Sequence, residues 1–162
     1  MSRRTAVYAG TFDVLTLGHV WMIQQGSALF DNLVVAIREN PGKHPMFSLA
    51  DRVNMLHEVV ASLPNVKVDS FTNRYLIAYA EEINASFILR GVRNQNDYEY
   101  EHAMRNINSD MAPGITTVLL MPPRELSEVS SSLVKGLIGP DGWEDVVSRY
   151  VPERMLVWLK AR

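Results

Sequence analysis

The fold signal begins in residues 5–37, which read TAVYAGTFDVLTLGHVWMIQQGSALFDNLVVAI. Two short apolar runs, Thr5 to Tyr8 and Asn32 to Ile37, contain β-branched residues and lead into loops, so they predict buried strands. Val20 to Phe30, between them, has a helical composition. The order strand, loop, helix, strand is a βαβ unit, which predicts two parallel neighbouring strands.

The same alternation continues toward the carboxyl end. Further strands are predicted at Val66 to Val68, Phe87 to Leu89 and Thr116 to Met121, and helices after Ser48, at Leu76 to Ile83 and at Tyr100 to Ile107. Short helices are predicted after Pro122-Pro123, at Ser130 to Leu137, at Trp143 to Tyr150 and after Pro152. We therefore expect an α/β fold: a doubly wound, five-stranded parallel sheet with right-handed crossovers and C-terminal helices, in one domain over residues 1–162.

Composition excludes several classes of protein. The chain has 162 residues, 47% of them hydrophobic, enough for a core without disulfides or a structural metal. It has no cysteine, which removes Cys nucleophiles and Cys-ligated metal sites. Sixteen basic and eighteen acidic residues give a net charge of -2, so we expect neither nucleic acid nor a membrane as a partner. No segment approaches the ~20 apolar residues of a membrane span, and a cytoplasmic location is expected.

Loops at the carboxyl ends of parallel strands are where ligands bind in this fold class, and the first of them holds two glycines and a histidine. Gly10 to His19 runs into the first predicted helix, which we expect to open at His19. Unpaired N–H groups and the helix dipole favour phosphate at such a position. The alternative is a turn with a surface histidine. The loop is neither a Walker A motif nor a Gly-x-Gly-x-x-Gly fingerprint.

Three more strand-end loops carry groups that suit phosphate. Lys43 follows the second strand, Arg90 and Arg93 follow the fourth, and Ser130-Ser131-Ser132 begins a helix after the fifth. Each has an ordinary alternative: a solvated lysine, salt bridges from the arginines to Asp97, Glu99 or Glu101, and a capped helix. Four such loops at one sheet edge together predict a polyphosphate ligand, most simply a nucleotide. No tight His/Asp/Glu metal cage and no plausible Ser-His-Asp grouping competes with them.

The motifs resemble those of bacterial phosphopantetheine adenylyltransferases, in the nucleotidyltransferase superfamily with the T/H-x-G-H signature. The resemblance rests on four stretches: Gly10 to Asp13 with Thr16 to His19, Asn40 to Phe47, Arg90 to Arg93 with Asp97 to Glu101, and Ser130 to Lys135. It spans residues 5 to about 160 in the family's order. Departures from the family pattern stand at Ala9, Val14, Trp21, Leu126, Glu128 and Gly136.

The resemblance implies a Rossmann-like nucleotidyltransferase fold and transfer of AMP from ATP to 4'-phosphopantetheine, giving dephospho-coenzyme A and pyrophosphate. It implies no covalent nucleophile, because the acceptor's own phosphate attacks the α-phosphorus in line. Thr11 would orient that phosphate and His19 would stabilise the pentacovalent transition state. Lys43 and Arg90 would hold the acceptor phosphate, and Leu76 would meet the pantetheine arm.

The resemblance also implies an ATP site and several partners. Its ATP-site residues would be Thr11, Phe12, His19, Gly91, Val92, Arg93, Glu101 and the stretch Leu126, Ser127, Glu128, Val129, Ser130, Ser131 and Ser132. Thr11, His19, Lys43 and Arg93 form the expected catalytic set. Mg2+ would accompany the triphosphate through ligands that the sequence does not identify, dephospho-coenzyme A and coenzyme A would bind as product or inhibitor, and the assembly would be a homohexamer built as a dimer of trimers.

Two rival functions stay open on sequence grounds. One is another nucleotidyltransferase of the superfamily, acting on nicotinate mononucleotide or on glycerol phosphate with CTP. The Lys43 loop and the helix start Ser130 to Lys135 favour the pantetheine branch instead. The other rival is a nucleotide-binding regulatory module without turnover, which would not need His19 beside Thr11.

Overall fold

The computed structural model describes residues 3–42 and 44–162 and contains five strands interleaved with helices. The strands are β1 (Thr5–Gly10), β2 (Asn32–Glu39), β3 (Val66–Thr72), β4 (Phe87–Gly91) and β5 (Thr116–Leu120). The helices between them are α1 (Leu17–Leu29), α2 (Leu49–Val60), α3 (Leu76–Glu82) and α4 (Gln95–Met111). After a short 3-10 turn at Arg124–Leu126 come α5 (Ser131–Leu137), α6 (Trp143–Val147) and α7 (Glu153–Lys160).

The sheet is parallel throughout, in the order β3-β2-β1-β4-β5, which confirms the predicted doubly wound architecture. The chain runs outward from β1 to β3, returns across the sheet to β4, and then continues outward to β5. The order therefore reverses between β1 and β4. Loops diverge at such a switch point and leave a crevice, so the loops after β1 and β4 mark the expected ligand site.

Both faces of the sheet are covered at its centre, which explains why the sequences of β1 and β2 are almost continuously apolar, whereas the edge strand β3 is not. Leu33, Val35 and Ile37 of β2 pack into the larger core cluster with α1 and α2. Val34 and Ala36, which alternate with them, pack against α3 in a second cluster. In α1, Gly26 allows close contact with the sheet: a Cβ there would lie 2.9 Å from side-chain atoms of Leu33 and Leu89.

The three predicted C-terminal helices are confirmed, and they pack on the α1/α2 side of the sheet. Val134 of α5, Val147 of α6 and Met155 of α7 are fully or almost fully buried in the larger cluster. The backbone of Leu17, at the start of α1, donates a 2.8 Å hydrogen bond to the Tyr150 carbonyl. This tail therefore supports the start of the helix that carries His19.

Several predicted boundaries are wrong. Arg90 and Gly91 are not loop residues, because β4 pairs with β5 through Gly91. Helix α1 begins at Leu17 rather than at His19, since the Thr16 side chain caps it two residues earlier than the glycines suggest. Helix α6 ends at Val147, short of the expected Tyr150. Among residues 3–42 and 44–162, no helix is long and apolar enough to cross a membrane.

Candidate active site

The first strand-end loop holds His19 through a reciprocal helix cap. Thr16, at the N-cap of α1, accepts from the His19 amide, while the Thr16 amide donates to His19 Nδ1 at 3.0 Å. Thr16 is 1% exposed, so this bond lies in a dry environment. The ring of Phe12 packs edge-on against the imidazole, with centroids 5.0 Å apart. The cap therefore sets the orientation of the His19 ring before any ligand arrives.

The same contacts determine which ring nitrogen of His19 carries the proton. A backbone N–H can only donate, so Nδ1 must accept, and the neutral ring then carries its proton on Nε2. Burial, with a smaller contribution from the Arg93 charge, lowers the pKa of His19 to about 4. His19 is thus a neutral hydrogen-bond donor at physiological pH.

A cavity of about 280 Å³ opens beside His19, at the crevice between β1 and β4. Its wall is formed by residues from the ends of β1 and β4, from the start of α1 and from the segments that follow β4 and β5. They are Tyr8, Ala9, Gly10, Thr16, Gly18, His19, Met22, Arg90, Gly91, Arg93, Pro122, Leu126, Val129 and Ser130. Arg93 and His19 line the same space, together with Ser130 at the N-cap of α5. This arrangement suits a polyphosphate.

Arg90 and Arg93 are both held by carboxylates on α4, as the salt-bridge alternative predicted. Arg90 donates from Nε and Nη2 to Glu101 Oε1 at 2.9 and 2.7 Å, and from Nη1 to the Ala9 carbonyl. Arg93 pairs with Asp97 at 2.8 Å. Glu101 is 6% exposed, so its charge needs the Arg90 partner. Both arginines still line the cavity while they are held in these ion pairs. A structural role in the salt bridges and a role in ligand binding are therefore compatible.

A second cavity, of about 160 Å³, adjoins the first through Arg90. Leu76 and Tyr75 at the start of α3 form one side, and Glu101 on α4 forms the other. Arg90 lines both cavities. Ligands in the two cavities would therefore both lie beside Arg90.

Sequence reasoning missed a polar cluster under the first loop. Asp13 is 5% exposed and accepts from the amides of Met46 and Phe47, at 2.8 and 2.9 Å, and from Lys135 Nζ at 2.6 Å. Burial would raise the pKa of Asp13, but Lys135 and the two amides outweigh it and hold that pKa below its ordinary value. Lys135 and Asp13 both occur in the quoted motifs, yet only tertiary structure pairs residues 122 positions apart.

Arg52 is the second missed residue. It lies on α2 with 3% exposure and donates to the carbonyls of Thr11 and Phe47, at 2.9 and 3.1 Å, and to Glu39 at 3.4 Å. No local signal distinguishes it from a solvated helix arginine. Arg52 and Asp13 together tie the loop after β1 to the segment that follows β2.

Comparison with known proteins identifies the family. Residues 7–137 match the Cytidylyltransferase-like family. A protein of Neisseria meningitidis serogroup C (strain 053442), called phosphopantetheine adenylyltransferase, is 56% identical over 150 residues, which cover 93% of this chain and 88% of the relative. The chain belongs to the phosphopantetheine adenylyltransferase family. A relative of the same name from Chromobacterium violaceum is 53% identical, over 93% of this chain and 92% of its own.

Solved structures agree on the fold of this family member. Plasmodium falciparum nicotinic acid mononucleotide adenylyltransferase, complexed with APC, superposes with a TM-score of 0.73 over 99% of this chain and 96% of its own. The sequence identity is 12%, so the likeness concerns the fold alone. The much higher identity to relatives named for phosphopantetheine favours that branch of the superfamily over the nicotinate rival.

The predicted ATP-site residues fall into three groups in this family member. His19, Gly91, Arg93, Leu126, Val129 and Ser130 line the first cavity. Ser131 and Ser132 line a neighbouring cavity of about 380 Å³ with Thr11, and Glu101 lines the Leu76 cavity instead. Phe12 and Val92 are buried behind the walls, Ser127 bonds to the Arg124 carbonyl, and Glu128 is exposed. Lys43 lies outside the described residues.

Proposed function

We propose that this protein transfers the adenylyl group of ATP to 4'-phosphopantetheine, producing dephospho-coenzyme A and pyrophosphate in coenzyme A biosynthesis. The family membership supports the reaction class. The observation that carries the proposal is the pair of cavities that meet at Arg90. A two-substrate transfer needs the nucleotide and the acceptor side by side, because catalysis without an enzyme nucleophile depends on alignment.

The chemistry follows from preorganised donors. An oxygen of the acceptor phosphate attacks the α-phosphorus of ATP, the bond from the α-phosphorus to the bridging oxygen breaks, and pyrophosphate leaves. Thr11 orients the attacking phosphate, Arg90 and Lys43 hold it, and Leu76 contacts the pantetheine arm. His19 donates from Nε2 to the oxygens around the α-phosphorus as charge grows there, and Arg93 neutralises the phosphate chain. The neutral state of His19 suits donation without a competing proton transfer.

Mg2+ is proposed to bind together with the nucleotide. No group of three or more His, Asp or Glu side chains within the described ranges 3–42 and 44–162 could hold a metal ion. The Asp13 carboxylate is occupied by Lys135 and two amides. These residues do not build a cation cage of their own, and Mg2+ commonly binds through substrate phosphates and water.

We extend the proposal to coenzyme A, to assembly and to location. Coenzyme A shares its pantetheine and adenylate parts with the product, so it is expected to compete with both substrates. Three large apolar side chains on α4, Tyr100, Ile107 and Met111, are 48 to 58% exposed at helical spacing, which supports an oligomer that covers them. A homohexamer is the assembly that the family resemblance implies. Use of ATP supports the cytoplasm as the place of action.

The deciding experiment measures pyrophosphate release from ATP with 4'-phosphopantetheine, with pantetheine as the control acceptor that lacks the phosphate. Release that requires 4'-phosphopantetheine supports the function. Release without an acceptor, or none at all, overturns it. Calorimetry at saturating ATP or 4'-phosphopantetheine tests coenzyme A competition, and sedimentation tests assembly, where a monomer at micromolar concentration contradicts the hexamer.

A further inference from the structure

Arg38, near the end of β2, lines the wall of three adjoining cavities and is absent from the site residues discussed so far. Its side chain is exposed. Within residues 3–42 and 44–162 it forms no ion pair, whereas Arg52, Arg90 and Arg93 at the same sheet edge are each paired with a carboxylate. Arg38 is therefore a cavity cation whose charge is balanced by no carboxylate of the described chain.

Strand alternation places Arg38 and Arg90 on one face of the sheet. Ala36 and Ile88 belong to the same core cluster, and each arginine follows one of them by two residues. Both arginines line the Leu76 cavity, as this alternation requires. Strand β1 lies between their strands, and the pairing of Gly10 with Ile37 and of Tyr8 with Leu89 puts Arg38 two residues further along the sheet than Arg90, so the two backbones are separated by about 11–12 Å.

Small side chains keep the space between the two arginines open. Ala9 on β1 and Ala36 on β2 are registered partners on this face. Gly10, the last residue of β1, is registered with Ile37, so Thr11, the first residue after the strand, follows near the level of Arg38. Thr11 and Arg38 also line one cavity together. The Thr11 hydroxyl and the guanidinium groups of Arg38 and Arg90 are thus among the polar groups around this opening, and Glu39 and Glu101 also line the two cavities.

We propose that Arg38 is a further acceptor-binding residue, which contacts the phosphate of 4'-phosphopantetheine from the β2 side of the cavity that it shares with Arg90. The inference rests on the proposed function. Glu101 and the Ala9 carbonyl take bonds from all three nitrogens of Arg90, so Arg90 offers only its remaining N–H groups. A guanidinium without an internal partner can present its planar pair of donors to a phosphate dianion.

The test distinguishes a contact of Arg38 with the acceptor phosphate from a contact with the rest of the acceptor. Calorimetry measures the dissociation constants of 4'-phosphopantetheine, pantetheine and ATP for the full-length wild type and for Arg38→Gln and Arg38→Lys. Arg74→Gln is the matched control, since Arg74 lines one of the same cavities but is paired with Glu82. Because Arg38 is exposed, its substitution should leave the thermal unfolding midpoint unchanged.

Arg38→Gln is expected to weaken 4'-phosphopantetheine binding roughly 10- to 100-fold, the range for a charge-assisted hydrogen bond, with pantetheine and ATP binding unchanged. Arg38→Lys should recover part of the loss, and Arg74→Gln should match the wild type. Equal weakening of pantetheine would assign Arg38 to the arm and overturn the proposal. Weakened ATP binding, or no change at all, would overturn it as well. Acceptor-dependent turnover by the wild type tests the parent function separately.

Discussion

Replacing His19 with glutamine tests whether His19 acts as a neutral donor. Glutamine at the third helical position can still accept from the Thr16 amide, so the helix cap survives while the titratable ring is lost. The difference in stability between this variant and the wild type therefore isolates the effect of His19 protonation. The other titrating groups are present in both proteins and cancel.

The magnitude follows from the pKa of about 4 in the folded state against 6.5 when unfolded. Above pH 6.5 both states are neutral and the free energy of unfolding is unaffected. Between pH 6.5 and about pH 4, His19 is protonated in the unfolded chain but neutral in the folded protein. The free energy of unfolding therefore falls as the pH falls through this range. At pH 5 a fully buried His19 ring would lower the free energy of unfolding of the wild type by about 2 kcal/mol. We expect about 1–2 kcal/mol, because one edge of the ring faces the cavity.

The assay is urea unfolding of both proteins at pH 7.5 and pH 5. The wild type should lose about 1–2 kcal/mol more than His19→Gln between these values. Equal losses, or an imidazole that titrates near pH 6.5 by NMR, would refute the neutral-donor assignment. In kinetics, His19→Ala should lower kcat by roughly 10²- to 10³-fold with both substrate dissociation constants little changed. Weaker binding with an unchanged chemical step would contradict that role.

Three other substitutions probe separate parts of the molecule. Arg90→Ala should weaken 4'-phosphopantetheine binding by about 1.5–3 kcal/mol and ATP binding less, with partial recovery in Arg90→Lys, as measured by calorimetry; an effect on ATP alone would reverse the assignment. Gly26→Ala should destabilise the fold by about 1–3 kcal/mol in urea unfolding, because its Cβ meets Leu33 and Leu89 at 2.9 Å, and unchanged stability would show that the helix shifts freely. Lys135→Met should raise the pKa of Asp13, so the variant should lose stability at a higher pH than the wild type as pH falls; identical acid unfolding curves would exclude the Asp13–Lys135 pair.

The sequence by itself determined the fold class and the regions of the site. Local periodicity predicts the alternation of strands and helices. Parallel strands bring their carboxyl-end loops to one edge of the sheet, so the sequence alone groups His19, Arg93 and Ser130. The motif resemblance indicates the same family as the relatives do. The strand boundary at Gly91 could not be found in this way, because a strand ends where its neighbour stops pairing with it.

Only the tertiary structure decided which charges meet. Asp13 pairs with Lys135 across 122 positions, and Arg52 reaches the Thr11 carbonyl across 41. Arg38 and Arg90 share a cavity because the strand order puts only β1 between β2 and β4. Periodicity records which face a residue occupies, but a contact depends also on strand order and register. These arise from the packing of the whole chain, because each strand must bury both of its faces and pair its backbone at once.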